Sequence, residues 1–450
     1  MSLGFVAVRE KDDILLLTAV SQINHGGPQT VTDGEQAVVV AKLNLDAGKV
    51  AMNIGDFFTA HSFFNYGISY LRRGHWNEHY DVSLELFNLA ARCALMNAEH
   101  DRVKMLTGEI IRYAKCFEDK CQAFSITINL LTWSGNVPEA VKLINRTLSS
   151  LGEELPQRIT PTVIKLHLDN TKAQLAGLSD DTLLSYPTME NPSKILAMEL
   201  LVKLFRSLTI IGERSAMPII PLKMIQISLT YGMSPLSPVG FARYGNYLAL
   251  VRDEFEEGYR YVTFALSLMK KIPSRAHDGS IMFDSNHTKL YVEPMQSAVE
   301  FYLGAYRASM KSGDPSAIAI ACSFVYDSIG FWSGKELNAV VVSMKETMKE
   351  SKYHKNLVLL TLALPMFQMA LRLMGQSDTP QSDPLGETSK EGDITGKHAT
   401  LLHTMFFVRL SEALIFREFD QAREATEKYF SVDKSVGRDF SISTMFFRRL

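Results

Sequence analysis

Apolar residues recur at spacings of three and four along almost the whole chain, and alternation of period two hardly appears, so the backbone is expected to be helical throughout. Leu84, Phe87, Ala91, Ala94 and Leu95 fall on one side of a helix, as do Ala140, Leu143, Ile144, Leu148 and Leu151. A helix with one apolar side must bury it. The punctuation between helices is short: Gly135-Asn136, Gly152 with Pro156, Asn191-Pro192, Met217-Pro218, Tyr231-Gly232, Ser234-Pro235 and Gly313-Asp314-Pro315. Short connections make successive helices antiparallel neighbours.

The turns also carry a repeat. Gly55-Asp56 is followed by Ala60, Phe64 and Ile68, and Gly135-Asn136 by Ala140, Ile144 and Leu148. Asp253-Glu254 with Gly258, Val262 and Leu266 keeps these offsets, and Arg417-Glu418 with Ala422 and Thr426 follows them. A small residue lets the second helix of a pair approach the first, and larger residues one and two turns later fill the contact with the next pair, which is the tetratricopeptide logic. Unit spacing is irregular and the aromatic expected near each repeat start is mostly missing. The expected fold is therefore an all-α, tetratricopeptide-like α-solenoid, a superhelix of antiparallel helix pairs. From Gln376 to Lys397 only Leu385 and Ile394 are sizeable apolar residues, too few to offset an ordering entropy of about 1–2 kcal/mol per residue. The expected organisation is a joining helical segment over 1–46, repeats over 47–375, a disordered insert over 376–398 and a last repeat segment over 399–450.

Composition narrows the function classes. The 450 residues carry 47 Lys+Arg against 49 Asp+Glu, a net charge of −2, which gives no bulk attraction for nucleic acid or anionic lipid. Four cysteines without a C-x-x-C pair argue against a disulfide scaffold and for a reducing, cytoplasmic setting. No secretory leader is read at the start, and the uncharged stretch Leu357–Leu371, with Thr361, Pro365 and Gln368, falls short of the roughly 20 residues a spanning helix needs. It reads as a core helix with a proline bend. Without secretion, the glycosylation sequons at Asn145 and Asn286 have no role.

Motifs for chemistry fail on their physical requirements. Gly330–Lys335 and Gly392–Lys397 have three residues between their glycines where a phosphate loop has four, and Glu336 or His398 where it needs a hydroxyl for magnesium. His75 and His79 have the spacing of two zinc ligands on one helix face, but Trp76 stands where a zinc peptidase has its glutamate and no third ligand is evident. Packing and hydrogen bonding are the expected roles of that pair. No nucleophile beside a base is read, so no catalytic residue, cofactor or metal is assigned. Basic and aromatic residues mix around Arg243, Tyr244, Tyr247, Tyr259 and Arg260, with Asp253, Glu254, Glu256 and Glu257 neutralising them. These five are the candidate partner-binding residues, for a peptide or neighbouring domain.

A set of segments then resembles a known family. Asn44-Leu-Asp-Ala-Gly48-Lys49, Trp76-Asn-Glu-His79-Tyr80-Asp81, Leu151-Gly152-Glu-Glu-Leu155-Pro156, Met189-Glu-Asn191-Pro192, Gly240-Phe241-Ala242-Arg-Tyr244-Gly245, Gly258-Tyr259-Arg260 and Ser312-Gly313-Asp314 occur in order, with the run from Lys223 to Gly232 among them. Together they resemble the helical-repeat region that follows the ATPase module in large signalling proteins combining a serine/threonine kinase, an AAA- or STAND-type ATPase and often a sensor histidine kinase. Val20-Ser-Gln22-Ile23-Asn24 is similar to the segment joining that ATPase to the repeats. The resemblance runs from about Leu15 to Gly313 and more weakly to about Phe430. It implies a signal-transduction scaffold whose enzymatic parts lie outside this region, and none of their signatures occurs in this chain. The expected function is non-catalytic binding of a protein or peptide, an ATPase or kinase module among them, with no nucleic-acid or membrane partner. The alternative is a fragment of a multidomain ATP-binding serine/threonine or histidine kinase. A divergent enzyme would instead show titratable side chains converging in a pocket, for instance around His75, Glu78 and His79. A nucleic-acid-binding solenoid would show a continuous basic groove.

Overall fold

The computed structural model describes residues 13–211, 213, 215–274, 276–311, 317–353, 357–376 and 399–431. Nearly all of the expected insert, Gly392–Lys397 and Gly313-Asp314-Pro315 lie outside the described residues. The chain divides into two compact units, Met1–Leu155 and Pro156–Leu450.

In the first unit, α1 (Asp13–Gly26) precedes α2 (Gly34–Asn53), α3 (Phe57–Tyr70), the single-turn α4 (His75–Glu78), α5 (Tyr80–Met96), α6 (His100–Tyr113), α7 (Phe117–Trp133) and α8 (Val137–Ser150). From α2 onward the long helices pack each on the next, and α2, α5 and α7 also touch one another across the helix between them. They form the closer, inner row of the pairs α2/α3, α5/α6 and α7/α8. Residue 47, where the repeats are expected to begin, lies within α2. A reciprocal, buried amide pair ties α1 to α2: Asn24 Nδ2 donates to Asn44 Oδ1 at 2.7 Å, and Asn44 Nδ2 to Asn24 Oδ1 at 3.0 Å.

The turn inside each pair has one construction. Gly55 adopts a φ of 84°, its N–H donates to Met52 O at 3.1 Å, and the Asp56 N–H reaches back to Ala51 O at 3.0 Å. This is a Schellman cap, which satisfies the last carbonyls of one helix with a left-handed residue. The next residue opens the following helix: Asp56 accepts from the Thr59 N–H at 3.0 Å. The same two bonds recur at Gly135-Asn136, at Ala98-Glu99 and at Arg417-Glu418. The small residues that follow, Ala60, Ala140 and Ala422, are buried. Ala98 and Arg417 hold φ near 60° without being glycine. A left-handed residue with a Cβ is disfavoured by about 1–2 kcal/mol, and glycine loses about 0.5–1 kcal/mol more chain entropy on folding. Ala98 is exposed, so Ala98→Gly is expected to stabilise the first unit by about 0.5–1 kcal/mol, read as a higher urea midpoint.

The second unit contains α9 (Pro161–Leu175), α10 (Asp180–Leu184), α11 (Pro192–Ile211), α12 (Ile219–Tyr231), α13 (Ser237–Asn246), α14 (Phe255–Lys271), α15 (Asp278–Val292), α16 (Met295–Lys311), α17 (Ala317–Trp332), α18 (Leu337–Tyr353), α19 (Leu357–Leu373), α20 (Ala399–Ile415) and α21 (Phe419–Ser431). Here too, successive helices from α12 onward pack in chain order, and α13, α15, α17 and α19 touch across their intervening partners. Both units are thus tetratricopeptide-like, and the fold is an all-α solenoid. An isolated bridge between Thr188 and Met233 is the only strand-like pairing among the described residues. No described helix is long and apolar enough to cross a membrane, and Pro365 lies inside α19. Gly330–Lys335 is a helix end: Gly334 has a φ of 85°, and its N–H and that of Lys335 cap the carbonyls of Phe331 and Gly330.

The pair α13/α14 departs from the others by a π turn over Tyr247–Val251, which adds a residue before Asp253 takes its φ of 61°. The two helices meet through glycines. A Cβ on Gly245 would lie 2.6 Å from Gly258 O, and one on Gly258 2.6 Å from Gly245 O and 2.8 Å from the Ala249 Cβ. The small stripe Ala242, Gly245 and Ala249 is therefore the contact surface for the small residue of the repeat.

Candidate functional site

Along α13 and the π turn, every residue from Leu236 to Leu250 is buried except Arg243. Arg243 points toward α15, where its Nε donates to Asp284 Oδ2 at 2.8 Å, with the two side chains 10% and 15% exposed. The flat guanidinium lies over the Phe205 ring of α11, 4.0 Å from its centroid. One helical turn on, Asn246 Nδ2 donates to Asp284 O at 2.7 Å, and Thr288 donates to Asn246 Oδ1 at 2.8 Å. These bonds stitch the inner-row helices α13 and α15 together.

Helix α15 is unusual in composition for such a place. Asp284, Ser285, Asn286, His287, Thr288 and Lys289 are consecutive and polar, yet no residue from Asp278 to Tyr291 is exposed. Buried polar groups need partners. Asn246 supplies one, and His287 Nδ1 bonds to Phe283 O at 2.9 Å. Burial holds the His287 ring below the ordinary histidine range, opposed by Asp284. The Ser285 hydroxyl, the Asn286 Nδ2 and the Arg243 NH1 are enclosed without a hydrogen-bond partner among the described residues. Because Asn286 is 1% exposed, its sequon does not reach the surface.

The five residues chosen from the sequence do not form one face. Tyr244 is fully buried against Tyr261, with ring centroids 4.9 Å apart, and burial pushes its hydroxyl far up the scale. Tyr247 is buried in the π turn. Tyr259 donates to Glu293 Oε1 at 2.8 Å, tying α14 to the end of α15. Arg260 donates to Asp180 Oδ1 at 2.9 Å and Leu178 O at 3.0 Å, tying α14 to α10. Arg243 alone combines a position in the inner row with partial exposure and a donor, NH1, that has no acceptor among the described residues. Phe205, Asn246, Asp284 and Thr288 were absent from the sequence-derived set. The signal that could have found Asp284 and Thr288 is the run of six polar residues within a helix that lacks an amphipathic pattern; no local pattern marks Phe205 or Asn246.

A second polar site lies in the first unit. Gly34, Glu35, Val38, Arg72, His75, Glu78 and His79 line one pocket. His75 and His79 reach it from either side of a helix break, since α4 ends at Glu78 and His79 is its C-cap, so they do not share the expected helix face. His75 Nδ1 is 2.8 Å from Ser83 Oγ, a serine–histidine contact that sequence spacing did not reveal. Ser83 is fully buried and its hydroxyl donates to His79 O at 2.8 Å, so the imidazole serves as donor and the serine is not an activated nucleophile. Trp76, between the two histidines in sequence, stacks on Tyr113 with ring centroids 5.5 Å apart. Among the described residues, no three His, Cys, Asp or Glu side chains are grouped to hold a metal.

Burial also lowers the proton affinity of two rings in this unit, with Glu99 opposing at His61 and Glu109 at His75. His61 is 6% exposed and its Nδ1 lies 3.1 Å from Glu99 Oε1. The folded unit therefore disfavours the protonated form of these rings, whereas unfolded histidine takes its proton at about pH 6.5. Their contribution to stability is complete above that value and is lost as pH falls. The thermal midpoint is expected to drop between pH 7 and pH 5, and the His61→Gln/His75→Gln double variant to show a flatter profile over that window.

No family model matches this chain, and no curated protein sequence matches it. Among solved structures it is similar to a Rap protein complexed with competence and sporulation factor, at 10% identity and a TM-score of 0.43, over 90% of this chain and 99% of that one. It is also similar to the APC/C hetero-tetramer Cut9–Hcn1, at 12% identity and a TM-score of 0.27, over 96% of this chain and 87% of that one. A third is Naa15/Naa10 bound to HypK-THB, at 10% identity and a TM-score of 0.21, over 96% and 94%. Superpositions this loose say nothing about how this chain works.

Proposed function

We propose that the chain is a non-catalytic scaffold that binds a peptide or a partner domain along α13, α15 and α17, the inner row of its second unit. The observation that carries this reading is α15, whose polar run is shielded but only partly hydrogen-bonded by its neighbours. Arg243, Asp284 and Lys289, which are only partly buried in this row, suit an incoming polypeptide, whose backbone offers donors and acceptors at every residue. The even charge balance disfavours nucleic acid. The resemblance to signalling ATPases supports an ATPase or kinase module as partner in the cytoplasm, with this chain as the regulatory scaffold or as the repeat part of a multidomain kinase. Selection of a randomised, phage-displayed peptide library against the full chain tests the reading. Recovered peptides are expected to slow amide exchange in α13 and α15. Recovery of nothing above background, or protection confined to other helices, would refute it.

The pocket at His75 favours a second reading, a small-molecule or catalytic site, because Glu35, Arg72, Glu78 and His79 converge there with it. A turnover by the purified full chain that His75→Gln abolishes would establish that reading in place of the first.

A further inference from the structure

We propose that Arg243 is the anchor for a carboxylate carried by the bound polypeptide, its side-chain or terminal carboxyl group docking on the open edge of the guanidinium. This rests on the inner-row binding reading and names the chemistry of its partner at one position.

A guanidinium has five N–H donors in a rigid fork. At Arg243 the Nε–H is engaged by Asp284, one face of the guanidinium is covered by Phe205, and NH1 is enclosed with no acceptor among the described residues. A nine-tenths buried cation with an unfilled donor is an expensive arrangement unless something completes it. Arg243 is also the one residue between Leu236 and Leu250 that is not fully buried, and NH2, unlike NH1, is not enclosed, so the NH2 end of the fork is the edge at which a partner can approach.

The same chain shows what completion looks like. Arg372 lies 4.5 Å over the Phe416 ring and makes two carboxylate contacts, NH1 to Glu412 at 2.9 Å and NH2 to Glu418 at 3.2 Å. Aromatic ring, guanidinium and carboxylate recur at Arg243, but with Asp284 alone and with NH1 unfilled. The missing component is a second carboxylate on the end of the fork. Planar, two-point pairing of this kind is among the strongest available to an arginine, and a lysine cannot reproduce it.

The arginine side chains of the full chain, labelled with 13C and 15N, are followed by NMR while sodium acetate is added, against sodium chloride at equal ionic strength and, separately, inorganic phosphate. Acetate is expected to move the Arg243 signal to saturation beyond any chloride effect. Arg243→Lys identifies that signal by removing it. If that variant does not fold, Phe205→Leu identifies it instead, because loss of the ring displaces the resonance. In folded Arg243→Lys, the change that acetate produces in the backbone amides of α13 and α15 is expected to be about tenfold weaker, equivalent to about 1.4 kcal/mol. An Arg243 signal that acetate leaves unmoved relative to chloride, or that phosphate moves and acetate does not, would overturn the proposal. Library peptides that bind while acetate has no effect would sink this inference and leave the binding reading standing. Saturation by acetate without any recovered peptide would do the reverse.

Discussion

Gly258→Ala is expected to destabilise the second unit by about 2–3 kcal/mol, and Gly258→Val by more, although alanine is the better helix former by about 1 kcal/mol. The sign is set by the space available. A methyl group at Gly258 would sit 2.6 Å from Gly245 O, 2.8 Å from the Ala249 Cβ and 2.9 Å from the Ala249 N. Backbone atoms on an opposed helix cannot swing aside as a flexible side chain does, so α13 and α14 must separate. Separation would loosen Phe241, Tyr244, Tyr261 and Phe264, which pack across the same pair with ring centroids 4.7–6.2 Å apart. Gly108 supplies the opposite case. It is an exposed glycine within α6 with nothing within 4 Å of its would-be Cβ, and Gly108→Ala is expected to stabilise the first unit by about 1 kcal/mol. Urea unfolding of the full chain followed by amide exchange in each unit measures both changes. A neutral Gly258→Ala would mean that the helices do not approach through this pair.

Much of this arrangement is legible in the residues, and the gaps have physical causes. Gly55 and Gly135 mark the left-handed turn openly because glycine is the residue that adopts it without strain. Asp253 and Arg417 mark it through the small residue five positions later, Gly258 or Ala422. Ala98-Glu99 escapes both signals, since alanine holds the turn and Val103 stands at the small position, yet its cap bonds match the others. Helical periodicity registers which side of a helix is buried, but cannot tell whether the covering material is core or a neighbouring repeat. Tyr244 and Arg243, adjacent in sequence, therefore read alike as recognition residues, whereas the structure puts the phenol in the core and leaves the guanidinium only partly covered. The pairing of Arg243 with Asp284 spans 41 positions and joins two helices that are next-but-one in the chain. No local pattern encodes it. In the same way, the break at His79 is a tertiary outcome, where the buried Trp76 and the bond from the His79 N–H to His75 O close one turn before α5 begins.

Asp284→Ala should have the largest effect of any polar substitution in the inner row, a loss of about 3–5 kcal/mol. Removal of the carboxylate leaves the Arg243 guanidinium enclosed with its Nε–H as well as its NH1 without an acceptor, over a phenyl ring that screens it poorly. The bond from the Asn246 side-chain Nδ2 to the main-chain O of Asp284 survives the change, so the defect is confined to the charge. Deleting both charges together is expected to restore most of the loss: Arg243→Met/Asp284→Leu replaces the pair by apolar groups of similar volume and leaves no buried ion. The double variant thus separates two roles that the single one confounds. If the pair serves only to hold α13 against α15, the double variant keeps both the fold and the binding of library peptides. If Arg243 is the anchor for a partner's carboxylate, the double variant recovers its unfolding midpoint but loses affinity for carboxylate-bearing peptides by about tenfold or more, while its affinity for amidated, uncharged peptides stays as it was. Stability and affinity measured on the same two proteins would then move in opposite directions, which no purely structural role for Arg243 would produce.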